Sequence, residues 1–210
     1  MAQIKAILFD MDGVLIDARE WHYEALNQAL ALFGMEISQS EHLVTYDGLP
    51  TKKKLEMLTQ ERGLPRGLHS FINEIKQEFT FLLAYTKCKP TFSHQYALAY
   101  LKRAGYKMAA CSNSIRKTMD ILFERAAIAS FFEFYLSSED VQEAKPNPEM
   151  YIAAIKRLGC LPEQCLILED NEYGIQAART SGAHILVIKD ITEVNLENIL
   201  RRIQEIEGKK

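Results

Sequence analysis

The sequence lacks long apolar runs and has few cysteines. Its longest apolar stretches, such as Ala29–Phe33, are far shorter than the roughly 18 residues that cross a bilayer. Asp10 and Asp12 interrupt the only apolar run near the N-terminus, which argues against a secretory signal. The four cysteines, none in a CxxC pair, are Cys88, Cys111, Cys160 and Cys165. We therefore expect reduced thiols in a cytoplasmic protein, with neither zinc nor a membrane as partner.

Neither sign of charge is in large excess. Lys and Arg number 25 against 28 Asp and Glu, a net charge of -3, whereas nucleic-acid binders usually carry a basic surplus. With 48% apolar and 25% charged residues, the chain has the composition of a globular protein rather than a disordered or fibrous one. Its 210 residues allow one sizeable core and a smaller appended unit, and we expect a monomer that binds a small molecule.

Short apolar runs alternate with helical periodicity over most of the chain. Each run ends at polar or turn residues, which is typical of strands buried on both faces. These runs are Ile4–Phe9, Lys107–Cys111, Phe134–Leu136, Cys165–Leu168 and His184–Ile188. The helical patterns between them are Ser93–Ala104, Ser114–Ala126, Pro148–Leu158 and Asn171–Ser181. This alternation predicts an α/β fold with right-handed crossovers and a doubly wound parallel sheet.

One segment breaks the alternation. Residues 18–89 contain no convincing strand and only helical periodicity, separated by Gly-Leu-Pro punctuation. The helical patterns are Trp21–Phe33, Ser38–Tyr46, Pro50–Arg62 and His69–Tyr85. We therefore expect a core domain over 1–17 and 90–210, an all-helical insert over 18–89, and fraying at Gly208–Lys210.

Polar side chains follow several strand ends. Asp10 and Asp12 follow the first strand, and Glu169 and Asp170 follow the fourth. Ligands of open parallel sheets bind outside the carboxyl ends of the strands, so we expect these acidic pairs to converge. By itself, each pair is also typical of a turn or a helix cap.

A phosphate-sized donor group and a cation complete the set. Ser112 and Asn113 precede a predicted helix, where a hydroxyl and main-chain amides can bind an anion or simply cap the helix. Lys145 lies on a proline-flanked loop before another helix. Carboxylates, an anion pocket and a fixed cation at one sheet edge together favour phosphoryl transfer.

Electrostatics adds a metal ion to this prediction. A carboxylate about 4 Å from a phosphate is repelled by several kcal/mol at an effective dielectric of ~20. Lys145 cannot neutralise Asp10, Glu169, Asp170 and a phosphate, so the site requires a divalent cation, and oxygen ligands favour Mg²⁺. Asp10 is then the expected nucleophile and Asp12 the general acid and base.

Four ordered motifs resemble the haloacid dehalogenase superfamily of phosphohydrolases, and most closely its beta-phosphoglucomutase-like branch. They are Phe9-Asp-Met-Asp-Gly-Val-Leu-Ile-Asp17, Cys111-Ser-Asn-Ser114, Lys145-Pro-Asn-Pro148 and Leu168-Glu-Asp-Asn171. The resemblance spans nearly the whole chain, and it implies a Rossmann-like core with a helical cap inserted after the first motif.

The resemblance also implies roles for individual residues. Metal ligands would be Asp10, the Asp12 main-chain carbonyl, Asp170 and, directly or through water, Glu169. Phosphoryl oxygens would be held by Ser112, the Asn113 amide and Lys145, which would also pair with Asp10. His22 matches a histidine of the first cap helix near the hinge, although such a residue is also typical of an amphipathic helix without a role.

Departures from the family pattern concern the hinge and the cap. Ala18 stands where a Thr or Ser is usual, and Ala144 where Gly is frequent. Sugar-phosphate mutases carry an arginine in the cap stretch where this sequence has Thr51, followed by Lys52–Lys54. Thr51 and Lys52 are candidate substrate contacts, but three lysines opening a helix more often form a solvated face.

Because that arginine is absent, we favour a phosphatase. It would hydrolyse a small phosphorylated metabolite, such as a sugar phosphate, through an aspartyl-phosphate intermediate. Binding a bisphosphorylated intermediate suits a bidentate arginine better than lysine. A beta-phosphoglucomutase-type hexose phosphate mutase is the first alternative. A non-catalytic module that binds phosphate or Mg²⁺ is the second.

Overall fold

The computed structural model describes residues 3–208, which form two compact units. One unit contains the chain up to Asp17 and from Lys89 onwards, and the other is Ala18–Cys88. Over residues 3–208, no helix is both long and apolar enough to cross a membrane. Of Gly208–Lys210, over which we expected fraying, the last two residues lie outside the described part of the chain.

The first unit is built on a parallel sheet. Its strands are β1 (Ala6–Phe9), β2 (Lys107–Cys111), β3 (Phe134–Leu136), β4 (Cys165–Glu169) and β5 (His184–Val187). All neighbours pair in parallel, in the order β3-β2-β1-β4-β5. The chain thus builds outward from β1 to β3 and returns to add β4 and β5 on the other side. This confirms the predicted doubly wound sheet and places its switch point between β1 and β4, where such folds bind ligands.

Helices follow the strands and fill the second unit. In chain order they are α1 (Arg19–Ala31), α2 (Gln39–Glu41), α3 (Thr51–Arg62), α4 (His69–Lys87), α5 (Phe92–Arg103), α6 (Arg116–Arg125), α7 (Glu149–Arg157), α8 (Glu172–Thr180) and α9 (Leu196–Glu207). The sequence analysis predicted each of these regions except α9, which therefore has to be added to the predicted architecture.

The burial of each strand explains how apolar its sequence is. Every residue of the central β1 is buried, and Ala6 and Leu8 share a core cluster with Ile167 of β4 and with residues of α7 and α8. The edge strand β5 is only half-buried and its Val187 is exposed. Continuous apolar runs are therefore typical of the inner strands, whereas the edge strands tolerate exposure.

The second unit, Ala18–Cys88, is a helical bundle with its own core. The long helices α1 and α4 pack against each other, and their contact is filled by Leu26, Leu30 and Ile72. The segment predicted as one helix over Ser38–Tyr46 is split, because α2 passes directly into a π-helical turn over His42–Tyr46. Its N-terminus is a capping box between Ser38 and Glu41.

Candidate active site

The loop after β1 presents Asp10 at the carboxyl edge of the sheet. Asp10 is buried, and its main-chain N–H donates to the carbonyl of Leu168 at 3.0 Å. The chain then turns at Gly13, whose φ of 85° suits glycine. The turn is closed because the N–H of Ile16 donates to the Met11 carbonyl at 2.9 Å. Asp10 is thus held between β1 and β4 at the switch point.

Lys145 is the cation of the site. Its Nζ donates to Asp10 Oδ1 at 2.5 Å, to Glu169 Oε1 at 2.6 Å and to the Cys111 carbonyl at 2.8 Å. An ammonium group has three N–H donors, and each has a partner here. The pairing with Asp10 was expected, whereas the equally close pairing with Glu169 was not. Lys145 therefore joins the ends of β1, β2 and β4.

Asn113 holds the main chain of Lys145. The Lys145 N–H donates to Asn113 Oδ1 at 3.0 Å, and Asn113 Nδ2 donates to the Lys145 carbonyl at 3.2 Å. The oxygen and the nitrogen of the Asn113 side-chain amide therefore both bond to the main chain of Lys145. The sequence analysis assigned Asn113 to phosphoryl oxygens and did not anticipate this function, which fixes the Lys145 loop to the loop after β2.

Three carboxylates converge beside Lys145. One oxygen each of Asp10, Glu169 and Asp170 lies within 4.8 Å of the others. Glu169 is fully buried, and its Oε1 also accepts a hydrogen bond from the Tyr151 hydroxyl. The two predicted acidic pairs therefore meet as expected, through Asp10 from one and both members of the other.

Burial and mutual repulsion set the charge state of this cluster. Burial, followed by the Glu169 carboxylate, raises the pKa of Asp10 well above its usual value, while Lys145 opposes the rise. Burial lowers the pKa of Lys145, but Asp10 and Glu169 outweigh it, so that pKa is raised. Three carboxylates facing one ammonium leave buried negative charge uncompensated, which is costly in a protein interior.

A divalent cation fits this arrangement. The donor set consists of carboxylate oxygens, the ligands that Mg²⁺ prefers. One oxygen of each carboxylate lies within 4.8 Å of the others, so the three side chains converge on a single small region. Asp10, Glu169 and Asp170 are therefore residues that could hold Mg²⁺.

Asp12 and Ser112 follow the ends of the neighbouring strands β1 and β2 and are linked through Ser114. Ser114 Oγ donates to Asp12 Oδ2 at 3.2 Å, and the Ser114 N–H donates to Ser112 Oγ at 3.0 Å. Ser112 is buried. The structure thus connects the expected acid/base with the expected phosphate-binding hydroxyl through a serine that the sequence analysis did not single out.

The remaining candidates, His22, Thr51 and Lys52, belong to the second unit. His22 Nδ1 lies 3.5 Å from the Nζ of buried Lys76. Lys52 is exposed, as the solvated-face interpretation of the lysines requires, but Lys54 is buried. That interpretation is wrong for Lys54, because it adjoins Leu55 on the packed side of α3, where a lysine stem can bury its methylenes.

Two residues of the site escaped the sequence analysis because nothing in their local pattern marks them. Tyr151 has the helical spacing of an ordinary core residue, and its hydroxyl contact with Glu169 depends on how α7 packs on the sheet. Ser114 ends the second motif and begins a predicted helix, but the sequence analysis gave it no role of its own. A polar atom on an otherwise apolar helix face is the one clue to Tyr151, since a buried hydroxyl needs a partner.

The fold and this site define a class of enzyme. Residues 7–188 match the family model described as haloacid dehalogenase-like hydrolase, and the chain belongs to this family. The resemblance drawn from the four motifs is thereby confirmed, and so is the expectation that the chain is an enzyme.

Among its relatives, a phosphorylated carbohydrates phosphatase of Thermotoga maritima is 26% identical over 183 residues, covering 85% of this chain and 82% of that protein. CbbY from Rhodobacter sphaeroides, solved with phosphate, is 26% identical with a TM-score of 0.78, covering 88% of this chain and 86% of that one. A beta-phosphoglucomutase from Clostridium difficile shares the fold, with a TM-score of 0.83 at 20% identity over 98% of this chain and 100% of that one. Several curated relatives of this chain are named phosphatases.

Proposed function

We propose that the protein is a Mg²⁺-dependent phosphatase that hydrolyses a small phosphorylated metabolite through an aspartyl-phosphate. The observation that carries the proposal is the Lys145 ammonium between Asp10 and Glu169, with Asp170 beside them. Phosphoryl transfer to an aspartate requires a carboxylate at a strand end, a lysine that holds it and further carboxylates beside it.

The proposed reaction has two steps. A carboxylate oxygen of Asp10 attacks the phosphorus atom, and the bond between phosphorus and the leaving oxygen breaks while Asp12 donates a proton to that oxygen. Asp12 then takes a proton from water, the resulting hydroxide attacks the phosphorus, and free phosphate leaves as Asp10 is regenerated. The contact between Ser114 and Asp12 at 3.2 Å supports an Asp12 that is held for this proton transfer.

Asp10, Glu169 and Asp170 are the proposed Mg²⁺ ligands, with the Asp12 main-chain carbonyl as expected from the resemblance. When bound, the ion supplies positive charge that offsets the repulsion between these carboxylates and the phosphoryl group. Lys145 orients Asp10 through its hydrogen bond, and Ser112 is the proposed ligand of the phosphoryl oxygens.

The proposed substrate is a phosphorylated carbohydrate or related small metabolite. The name of the Thermotoga maritima relative, a phosphorylated carbohydrates phosphatase, supports this class. His22, Thr51 and Lys52 of the second unit remain the proposed contacts with the non-phosphate part. We further propose a cytoplasmic monomer, in agreement with the four free thiols and the balanced charge.

A screen of phosphorylated metabolites tests the proposal. We expect phosphate release by the wild type with Mg²⁺ and none after chelation. Asp10→Asn should abolish turnover, because an amide is not a nucleophile for phosphorus. Asp120→Asn is the control, since Asp120 is an exposed carboxylate of α6 and should leave turnover unchanged.

The same assay separates the two alternatives. Isomerisation of glucose 1-phosphate faster than phosphate release, in the presence of a bisphosphate activator, would favour the mutase. Metal-dependent binding of a protein partner, without hydrolysis of any compound in the panel, would favour the non-catalytic module.

A further inference from the structure

The carboxylate of Glu169 is enclosed by two residues that the proposed reaction does not use. They are Tyr151, at the start of α7, and Gly174, in the first turn of α8. We propose that Tyr151 and Gly174 are positioning residues that hold the Glu169 carboxylate in the orientation required to bind a divalent cation. This inference rests on the metal site of the proposed function.

The hydrogen bond from Tyr151 makes the two carboxylate oxygens of Glu169 different from each other. The Tyr151 hydroxyl donates to Glu169 Oε1, which also accepts from Lys145 Nζ at 2.6 Å. Oε2 accepts one longer hydrogen bond, from the main-chain N–H of Asp170 at 3.3 Å, the residue that carries the third carboxylate of the cluster. With Oε1 occupied by two donors, Oε2 is the oxygen we assign to the cation.

The ring of Tyr151 positions the ammonium as well. Lys145 Nζ lies 4.7 Å from the ring centroid, within the range of a cation–π contact. Tyr151 is fully buried, so the ring and the hydroxyl are both packed within the core. One side chain therefore fixes both Lys145 and Glu169.

Gly174 closes the other side of the carboxylate. A Cβ at this position would lie 2.0 Å from Glu169 Oε1, 2.1 Å from Cδ and 2.2 Å from Oε2. Glycine is a poor helix former, and no positive φ requires it here. Its place in α8 is explained by the room that the carboxylate needs, and any side chain would push Glu169 out of its position.

Side chains that orient a metal-binding residue affect how tightly the metal binds. Their loss typically weakens metal affinity or activity by about 10- to 100-fold. Tyr151→Phe removes only the hydroxyl and retains the ring, so the fold and the contact with Lys145 should persist. We expect Mg²⁺ to bind this variant roughly 10-fold more weakly, measured by titration calorimetry on the metal-stripped protein.

The control is Tyr46→Phe in the second unit. Tyr46 is 1% exposed and its hydroxyl donates to Glu61 Oε2 at 2.8 Å, so the same kind of hydrogen bond between a buried tyrosine and a glutamate is lost. Its Mg²⁺ affinity should equal that of the wild type. An equal loss of affinity in both variants would overturn the inference, because the effect would then reflect general destabilisation.

Gly174→Ala is an independent second variant. It should weaken Mg²⁺ binding at least as much as Tyr151→Phe, because the methyl group displaces the carboxylate. Gly67→Ala is its control, since a Cβ at Gly67 meets nothing within 4 Å. Raising the Mg²⁺ concentration should restore kcat in both site variants, which a collapsed core would not permit.

The outcomes separate the inference from the proposed function. A wild type that binds no Mg²⁺ contradicts the metal site itself. A wild type that binds Mg²⁺, with both site variants binding equally well, leaves the proposed function in place and overturns the positioning roles. Circular dichroism establishes that each variant is folded, and misfolding of both site variants without any change at Tyr46 or Gly67 would also overturn them, since the residues would then be structural.

Discussion

A single ammonium group holds together a site drawn from three strand ends. Lys145 bonds Asp10, Glu169 and the Cys111 carbonyl, and it is 4% exposed. A buried ion pair adds little stability compared with apolar packing, but removing one partner leaves the other charges buried and unpaired. Lys145 is therefore important to stability as well as to the reaction.

Replacing Lys145 with methionine tests this point. Methionine keeps the length of the stem and removes the charge, so Asp10 and Glu169 face each other uncompensated. In metal-free buffer we expect the free energy of unfolding to fall by about 3–5 kcal/mol, measured by urea denaturation. Lys52→Met replaces an exposed lysine and should change the free energy of unfolding by no more than about 0.5 kcal/mol. Similar losses in the two variants would contradict the role of Lys145.

The residues that the sequence predicted are those whose position follows from topology. Asp10, Glu169 and Asp170 come together because parallel strands end at one edge, so their convergence could be predicted from strand ends alone. The roles of the Tyr151 hydroxyl and of the space at Gly174 could not be predicted in this way, because both depend on how α7 and α8 pack on Glu169. Roles that arise from packing leave no mark in residue spacing.

At the scale of elements, α9 is the region that the sequence analysis missed. The alternation of strands and helices identifies a helix between two strands, and α9 follows the last strand. Its pattern is nevertheless amphipathic, with Ile199 and Ile203 buried, and its N-terminus is capped where Asn195 accepts from the Asn198 N–H at 3.0 Å. The helix packs against α5, and it therefore belongs to the core of the first unit.

Truncating Ile199 tests the contribution of α9. Ile199 is fully buried, so Ile199→Ala leaves a cavity, and we expect the free energy of unfolding to decrease by about 2–5 kcal/mol. Gln204→Ala changes an exposed position of the same helix and should have little effect. Denaturant titration of both variants measures the difference, and a cost below about 0.5 kcal/mol for Ile199→Ala would indicate that α9 is not part of the core.

At the scale of the whole molecule, each unit contains a buried histidine. In the second unit, burial lowers the pKa of His42, and the Lys54 ammonium and His22 add to the effect. The carboxylates of Asp47 and Glu20 oppose it. The uncharged form of the ring is therefore favoured in the folded protein.

His94 is the corresponding residue of the first unit. Burial lowers its pKa, while the carbonyls of Ile191 and Leu15 act in the opposite direction. In the unfolded chain both imidazoles regain a pKa of about 6.5. Below that pH the unfolded state binds more protons than the folded one, so stability falls as the pH is lowered towards the folded pKa values.

We expect this linkage to be visible in thermal unfolding. The titration of these two histidines should lower the Tm as the pH is lowered from about 7 through 6.5, whereas the raised pKa of Asp10 acts in the opposite direction. Replacing His42 and His94 together with glutamine should flatten the decrease, whatever its effect on the Tm at neutral pH. Differential scanning calorimetry across this range compares the two slopes, and parallel slopes would contradict the assignment.

The central place of β1 has a consequence for biosynthesis. β1 is made first, yet it pairs with β4 as well as β2, and β4 begins only at Cys165. At about 5–20 residues per second, a ribosome needs on the order of ten seconds or more to reach it. During that interval the nascent chain has an open strand edge, a surface that invites aggregation, and Asp10 lacks its acidic partners. Incomplete chains therefore lack the assembled cluster of carboxylates, and they are the form of this protein most exposed to aggregation.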